Sequence, residues 1–367
     1  MEKSKVYNRI KITIQIISLV FNFGLILLLI FTPLSRLLET KLYEITSNDY
    51  VAFLLFILSI GLISSIYEIP LSFYSEFIVE HRFKLSNQRF IDWLIEKIKS
   101  FLVSALVALP ILLIFYYLLK NFELWWLFIA FAIFFFSILL ARIAPTLIFP
   151  IFYKFIPMDN ENLKIKLTEL CKKFGINFEV IYTFNLSKTT KKANAGFTGI
   201  FKSKRIILSD TLIENFTDDE IVTVFAHELG HYIKKHIVKN ILIGFITTIV
   251  TFYFANQLYL YLISLMNFNS VYQLSALPLL FLIMSIFSLI LMPVTNSVSR
   301  KFEYEADEFA VKSTGDKNSF ISSLQKLSKI NLADENPNPI IEFIFYSHPS
   351  IKKRIERINQ IYLSKNF

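Results

Sequence analysis

Hydrophobic and polar positions fall into blocks along this chain. Long runs almost free of charge are separated by polar joints. An apolar run of about 18 residues or more can cross the roughly 30 Å hydrocarbon core of a bilayer as a helix. Six such runs stand out: Ile12–Leu34, Val51–Ile69, Phe101–Leu119, Leu124–Leu140, Ile241–Met266 and Leu274–Val294. Basic residues precede the first run, as they do in a secretory signal. It is too long for a signal's apolar stretch and no small-residue cleavage pattern follows, so it reads as a permanent anchor.

The joints differ in kind. Pro70 to Ser100 mixes apolar and charged residues and predicts interfacial helices. From near Pro150, soluble-looking pieces alternate with spans. Asn160–Gly175 has helical periodicity, with Gly175 placed to end it. Asn177–Asn185 and Arg205–Leu208 are β-branched and aromatic and read as short strands, with a polar, glycine-bearing turn or edge strand between them. Thr217 and Glu220 then form a capping box that opens a helix. The expected fold class is a mainly α, polytopic membrane protein. Residues 1–149 form a membrane domain of four spans plus the interfacial connection, and residues 150–367 a second domain with two further spans and a small α+β part.

Composition sharpens the picture. The chain is 54% hydrophobic, above the roughly 45–50% of soluble domains. Its net charge is +9, but the basic residues collect in alternate joints. Lys3, Lys5, Arg9 and Lys11 precede the first run; Arg82, Lys84, Arg89, Lys97 and Lys99 fill the second joint. The segment after the fourth run and the C-terminal tail are also lysine-rich, whereas the opposite joints hold little beyond Arg36, Lys41 and Lys120. Under the positive-inside rule this places both termini and the polar segments of the second half in the cytoplasm. The basic balance is therefore topological and implies no nucleic-acid partner. The single cysteine, Cys171, excludes an intrachain disulfide framework and a cysteine-based zinc site, so metal ligands must be His, Asp or Glu.

The helix opened by Thr217 carries Ala226-His227-Glu228-Leu229-Gly230-His231, an H-E-x-x-H pattern in a chain with five histidines. Residues four apart share a helix face, so His227 and His231 can reach one ion, and neutral imidazole is a good zinc ligand. Glu228, beside the first ligand, is placed to take a proton from the attacking water. A catalytic zinc site needs a third protein ligand. The candidate lies after the sixth run, where Glu303 and Asp307 are four apart on a probable helix. Glu303 would bind the metal and Asp307 would accept the free N–H of a ligand histidine.

The segments HELGHYIKKH and NSVSRKFEYEAD resemble the integral-membrane CAAX prenyl protease type I family, zinc proteases of the gluzincin kind. EIPLSFYSEFIVEHRFKLSNQ is similar to the family's second cytoplasmic connection, and APTLIFPIFYKFIPM to its exit from the membrane. KANAGFTGIFKSKRIILSDTLI looks like its substrate-strand segment and YSHPSIKKRI like its Ser-His-Pro element. The similarity runs in order from about residue 50 to the C-terminus. It implies a ring of spanning helices around a chamber, with a zinc metalloprotease domain on the cytoplasmic side and one Zn²⁺ per chain held by His227, His231 and Glu303. It also implies Glu228 as the base, with Asp307 supporting a ligand. Asn194 and Ala195 would present backbone to an extended peptide, His348 would bind the oxyanion, and Arg354 would assist at the substrate. His236 matches a family histidine and reads as structural.

Three departures stand out. The eukaryotic members carry an extra N-terminal span. A histidine of the family's substrate strand is replaced by Lys192, beside Lys191, which bears on substrate preference. Glu305 stands where glutamine is common. The resemblance implies an endopeptidase acting on extended or lipid-associated peptides, lipidated proteins among them, in contact with membrane lipid. Competing readings are a quality-control protease of the heat-shock type and a non-enzymatic membrane scaffold or transporter. A multi-pass protein of this kind belongs in the plasma membrane of a prokaryote or the endoplasmic reticulum of a eukaryote.

Overall fold

The computed structural model describes residues 2–176, 181–198 and 205–363. It begins with α1 (Glu2–Phe31), a short α2 (Leu34–Ile45) and α3 (Asp49–Ser72). Asn48 caps α3, its side chain accepting from the N–H groups of Tyr50 and Val51. A π-helical segment, Phe73–Ile78, carries α3 into α4 (Val79–Arg82). Then come α5 (Phe90–Asn121), α6 (Trp125–Ile143), a second π segment (Ala144–Ile148) and α7 (Phe149–Phe152). The joint expected to form separate interfacial helices is different in structure: its residues extend the third and fifth helices beyond the apolar runs, broken only between Arg82 and Phe90. Pro70 lacks an N–H and would open the helix ladder, and the wider turn that follows absorbs the mismatch.

The second half contains β1 (Phe155–Pro157), α8 (Glu161–Lys173), β2 (Ile181–Phe184), β3 (Ala195–Thr198), β4 (Arg205–Ser209), α9 (Asp210–Asn215) and α10 (Asp218–Ile233). The long α11 (His236–Leu265) and α12 (Leu277–Thr314) follow, then α13 (Lys317–Asn331), α14 (Pro339–Phe345) and α15 (Ile351–Leu363). The expected capping box is present: the Thr217 N–H donates to Glu220 Oε2 at 2.9 Å and the Glu220 N–H to Thr217 Oγ1 at 3.4 Å. Gly175 follows α8 with φ +67, the left-handed conformation that favours glycine. The first four residues of the expected strand 177–185 lie outside the described residues; the rest forms β2.

Six helical stretches are long and apolar enough to cross a membrane, and they match the six runs. Their contacts close a circuit: α1 touches α3, α3 touches α5, α5 touches α6, α6 touches α11, α11 touches α12, and α12 returns to α1. Toward the end away from the sheet, this ring is packed around Phe53, Tyr116, Trp125, Tyr259 and Leu280. Trp125 Nε1 donates to Asn256 Oδ1 at 2.8 Å, which satisfies two buried polar groups between spans.

The sheet has the order β1-β2-β4-β3, which leaves β3 at an edge. The β2 and β4 pair is parallel; the other two pairs are antiparallel. Helices α8 and α10 pack with this sheet through Leu163, Leu167, Ile206, Leu208, Phe225 and Leu229. The membrane half also touches the turn before β3. Ser86 forms a β-bridge with Thr190, and the Lys191 N–H donates to the Leu85 carbonyl at 2.8 Å.

Candidate active site

Helix α12 is one continuous rod, so Glu303 and Asp307 sit on the same helix as the sixth span. It packs closely on α10, and Gly230 is the reason it can. A Cβ at Gly230 would meet Ala306 Cα at 3.1 Å and Phe309 at the same distance. The close crossing brings one face of each helix together.

At that face, His227 Nε2 and His231 Nε2 are 3.1 Å apart. Glu303 faces both, Oε2 at 3.4 Å from His227 Nε2 and Oε1 at 3.3 Å from His231 Nε2. Zinc bonds of about 2.0–2.1 Å at tetrahedral angles place neighbouring ligand atoms about 3.3 Å apart. The separations are of that size, with Glu303 facing each histidine through a different oxygen, and one ligand atom from each of the three residues lies within 4.8 Å of the others, a group able to hold a metal ion. Burial alone would keep His227 neutral, yet Asp307 and Glu303 outweigh it and raise its pKa to about 10. The two carboxylates thus favour positive charge at His227.

Each histidine has a partner on its far side. His227 Nδ1 lies 2.9 Å from Asp307 Oδ1. Asp307 in turn is gripped by Arg354, whose Nε and Nη2 donate to its two oxygens at 2.9 and 2.6 Å. Burial would lower the Arg354 pKa, but the Asp307 and Glu303 carboxylates raise it further, so the guanidinium keeps its charge. Arg354 is expected at the substrate; in the structure it is a buried brace behind the ligand histidine, although it also touches the cleft. His231 Nδ1 lies 2.9 Å from His236 Nδ1, and His236 Nε2 lies 3.2 Å from Glu305 Oε2. A His231 that coordinates through Nε2 carries its proton on Nδ1 and donates it to His236, which donates onward to Glu305.

Sequence reasoning assigned His236 no role at the site. Lys235 adopts φ 58, a left-handed kink between α10 and α11, and His236 Nδ1 comes to 2.9 Å from His231 Nδ1. Side-chain spacing on one helix cannot show such a return.

A cleft of about 560 Å³ runs past these residues. Glu228, Asn194, Ala195, Val224, Phe320 and His348 all line it. Glu228 is half-buried and His348 exposed, with His348 Nδ1 3.1 Å from Glu303 Oε2. The structure thus gathers the expected site residues along one cleft except Asp307, which is buried behind His227, and it turns the Asn194 backbone toward β4 rather than toward a substrate. It also corrects the reading of Lys192. That side chain points away from the cleft, to Glu80 Oε2 at 3.0 Å and Tyr7 Oη at 2.9 Å, and so ties the turn before β3 to α1 and α4. Glu80 also accepts from Lys11 at 2.9 Å. Of the lysine pair, only Lys191 is solvent-exposed.

Comparison with known proteins bears on this geometry. Residues 157–362 match the model of peptidase family M48, and residues 1–154 match the model described as CAAX prenyl protease N-terminal, five membrane helices. The chain is 31% identical over 327 residues to CAAX prenyl protease 1 of Saccharomyces cerevisiae, covering 82% of this chain and 71% of that protein. It is 28% identical over 355 residues to an uncharacterized metalloprotease, YhfN, of Bacillus subtilis, covering 95% of this chain and 83% of the relative. The crystal structure of S. mikatae Ste24p superposes with a TM-score of 0.85 at 26% identity, covering 97% of this chain and 88% of that one. The expected ring of helices enclosing a chamber is the architecture of that fold. The chain belongs to the CAAX prenyl protease group of peptidase family M48 and is a multi-pass membrane zinc metalloprotease.

Proposed function

We propose that the chain is an endopeptidase that cuts extended or lipid-associated peptides at a single zinc held by His227, His231 and Glu303. The observation that carries this reading is the three-ligand group lying in the same cleft as Glu228 and the edge strand at Ala195. Zinc, when bound, supplies a Lewis acid that polarises the scissile carbonyl and makes water more acidic.

The chain's own residues do the rest. An extended substrate adds to the β3 edge, where main-chain hydrogen bonds hold it without regard to sequence. Glu228 takes a proton from the attacking water as oxygen bonds to the carbonyl carbon. His348 donates to the carbonyl oxygen as it gains charge. Glu228 then passes the proton to the leaving nitrogen as the C–N bond breaks. Asp307 and Arg354 hold His227 in place throughout. Residues 1–149 serve as the membrane domain and 150–367 as the protease domain, with the active site on the cytoplasmic side, where the basic joints lie.

The test is cleavage of a fluorogenic peptide by detergent-purified protein, with zinc assayed on the same sample. Glu228→Gln is expected to keep zinc and lose at least about 100-fold in rate. Full activity in that variant would overturn the assignment of Glu228.

A further inference from the structure

We propose that Asn331 is an end stop for the peptide strand that pairs with β3, and so sets how far a substrate extends past the cut on one side. The inference rests on reading β3 as the edge to which substrate adds. Along an antiparallel strand, the N–H and C=O of one residue face one neighbour and those of the next residue face the other way. Asn194 faces β4: its carbonyl accepts from the Ser209 N–H at 2.9 Å, and its N–H donates to Ser209 Oγ at 3.0 Å. The outward groups therefore belong to Ala193, Ala195 and Phe197; the Ala195 N–H turns to its neighbour Asn194 Oδ1 at 2.9 Å, a local bond that an added strand would replace.

At Ala193 those groups are taken. The Ala193 N–H donates to Asn331 Oδ1 at 3.0 Å, and Asn331 Nδ2 donates to the Ala193 carbonyl at 3.2 Å. A side-chain amide offers one donor and one acceptor side by side, as a residue of an added strand does. Asn331 thus fills the next position in the row along which a substrate strand would continue. Ala193 and Ala195 are two residues apart, about 6.8 Å along the strand, so a peptide paired at Ala195 has room for about one further residue before it meets Asn331.

The stop is rigidly mounted. Asn331 ends α13, and Leu332 caps that helix in the left-handed conformation with φ 50. The Leu332 carbonyl accepts from Asn8 Nδ2 at 2.7 Å, so a membrane-spanning helix braces it. Asn8 and Asn331 both line the same end of the catalytic cleft as Ala193.

Two nested peptide series with one cleavable centre test this, one lengthened on the amino side and the other on the carboxyl side, with cut positions read by mass spectrometry. In the wild-type protein, one series alone is expected to lose about tenfold in kcat/KM once it outgrows the space before Asn331. Asn331→Gly and Asn331→Ala should abolish that step and leave the other series unchanged. A merely structural role would slow both series together. Where those variants lose zinc binding, Asn331→Asp serves instead: it keeps the acceptor for the Ala193 N–H, loses the donor, and should weaken the step. A wild-type protein without a length step, or variants that keep it, overturns the proposal. A wild-type protein that binds zinc but cuts neither series overturns the protease reading beneath it, a distinguishable failure.

Discussion

Gly230 of α10 lies so close to Ala306 of α12 that a Cβ on the glycine would stand 3.1 Å from the Ala306 Cα. Backbone is in the way there, as well as the Phe309 side chain at the same distance. Gly230→Ala is expected to push the helices apart at a strain of about 1–3 kcal/mol and to draw Glu303 away from the two histidines. Zinc affinity, measured by competition with a chelator, should fall while the helical circular dichroism stays. Unchanged affinity would mean that the crossing has slack the geometry does not reveal.

His236 is buried against Phe302, ring on ring, at 4.3 Å between centroids. Its removal leaves the His231 Nδ1 proton without its acceptor. His236→Ala should weaken zinc binding about 10–100-fold. His236→Gln, which keeps an acceptor, should recover part of that loss. Replacing Glu305 with Gln should cost less, because an amide oxygen still accepts from His236. Equal zinc affinities across the three variants would show that His231 needs no outer partner.

How much of this was legible beforehand follows from which forces act locally. The six spans could be read because a bilayer demands about 20 apolar residues in one piece, a rule with no tertiary term. The Thr217 cap was readable for the same reason. His227, His231 and Glu228 share one helix, so spacing alone placed them. Glu303 and Asp307 were paired by their spacing of four, although bringing them to the histidines depended on the Gly230 contact. The roles of His236, Asn331 and Lys192 depend on chain returns across 5, 138 and 112 residues. No local pattern encodes those. Arg354 reaches the cleft as expected, but its bonds to Asp307 behind His227 do not follow from sequence, which cannot say on which side of a ligand a guanidinium lies.

Glu220 ties the start of the metal-binding helix to α13. Its carboxylate accepts from Ser322 Oγ at 2.6 Å and from Lys326 Nζ at 2.7 Å, besides closing the cap. Burial would raise its pKa, but Lys326, Ser322 and the Thr217 N–H together lower it. A lowered folded pKa means the carboxylate stabilises the fold above its unfolded pKa, and that contribution fades as pH falls through the lowered value. Glu220→Gln is expected to cost about 1–3 kcal/mol at neutral pH and to lose progressively less as the medium is acidified. Thermal unfolding in detergent at several pH values reads this directly. A gap between the two proteins that stays constant into acid would remove the charge from the explanation.

Arg354 and Asp307 form a buried pair joined by two hydrogen bonds, one from each of two guanidinium nitrogens. Arg354→Met would take from the buried Asp307 both guanidinium bonds and leave it His227 Nδ1 at 2.9 Å, at a cost of about 3–5 kcal/mol. Arg354→Lys keeps the charge but cannot make the parallel pair of bonds, so it should recover only part of the stability. The double change Arg354→Met with Asp307→Asn removes both charges and should be more stable than Arg354→Met alone. Zinc affinity should not follow that recovery, because an Asn at 307 accepts more weakly from the His227 N–H. A double variant that regains stability without regaining zinc affinity would separate the two duties of Asp307, holding the fold and aiming the ligand. Recovery of both together would show that the pair serves the fold alone.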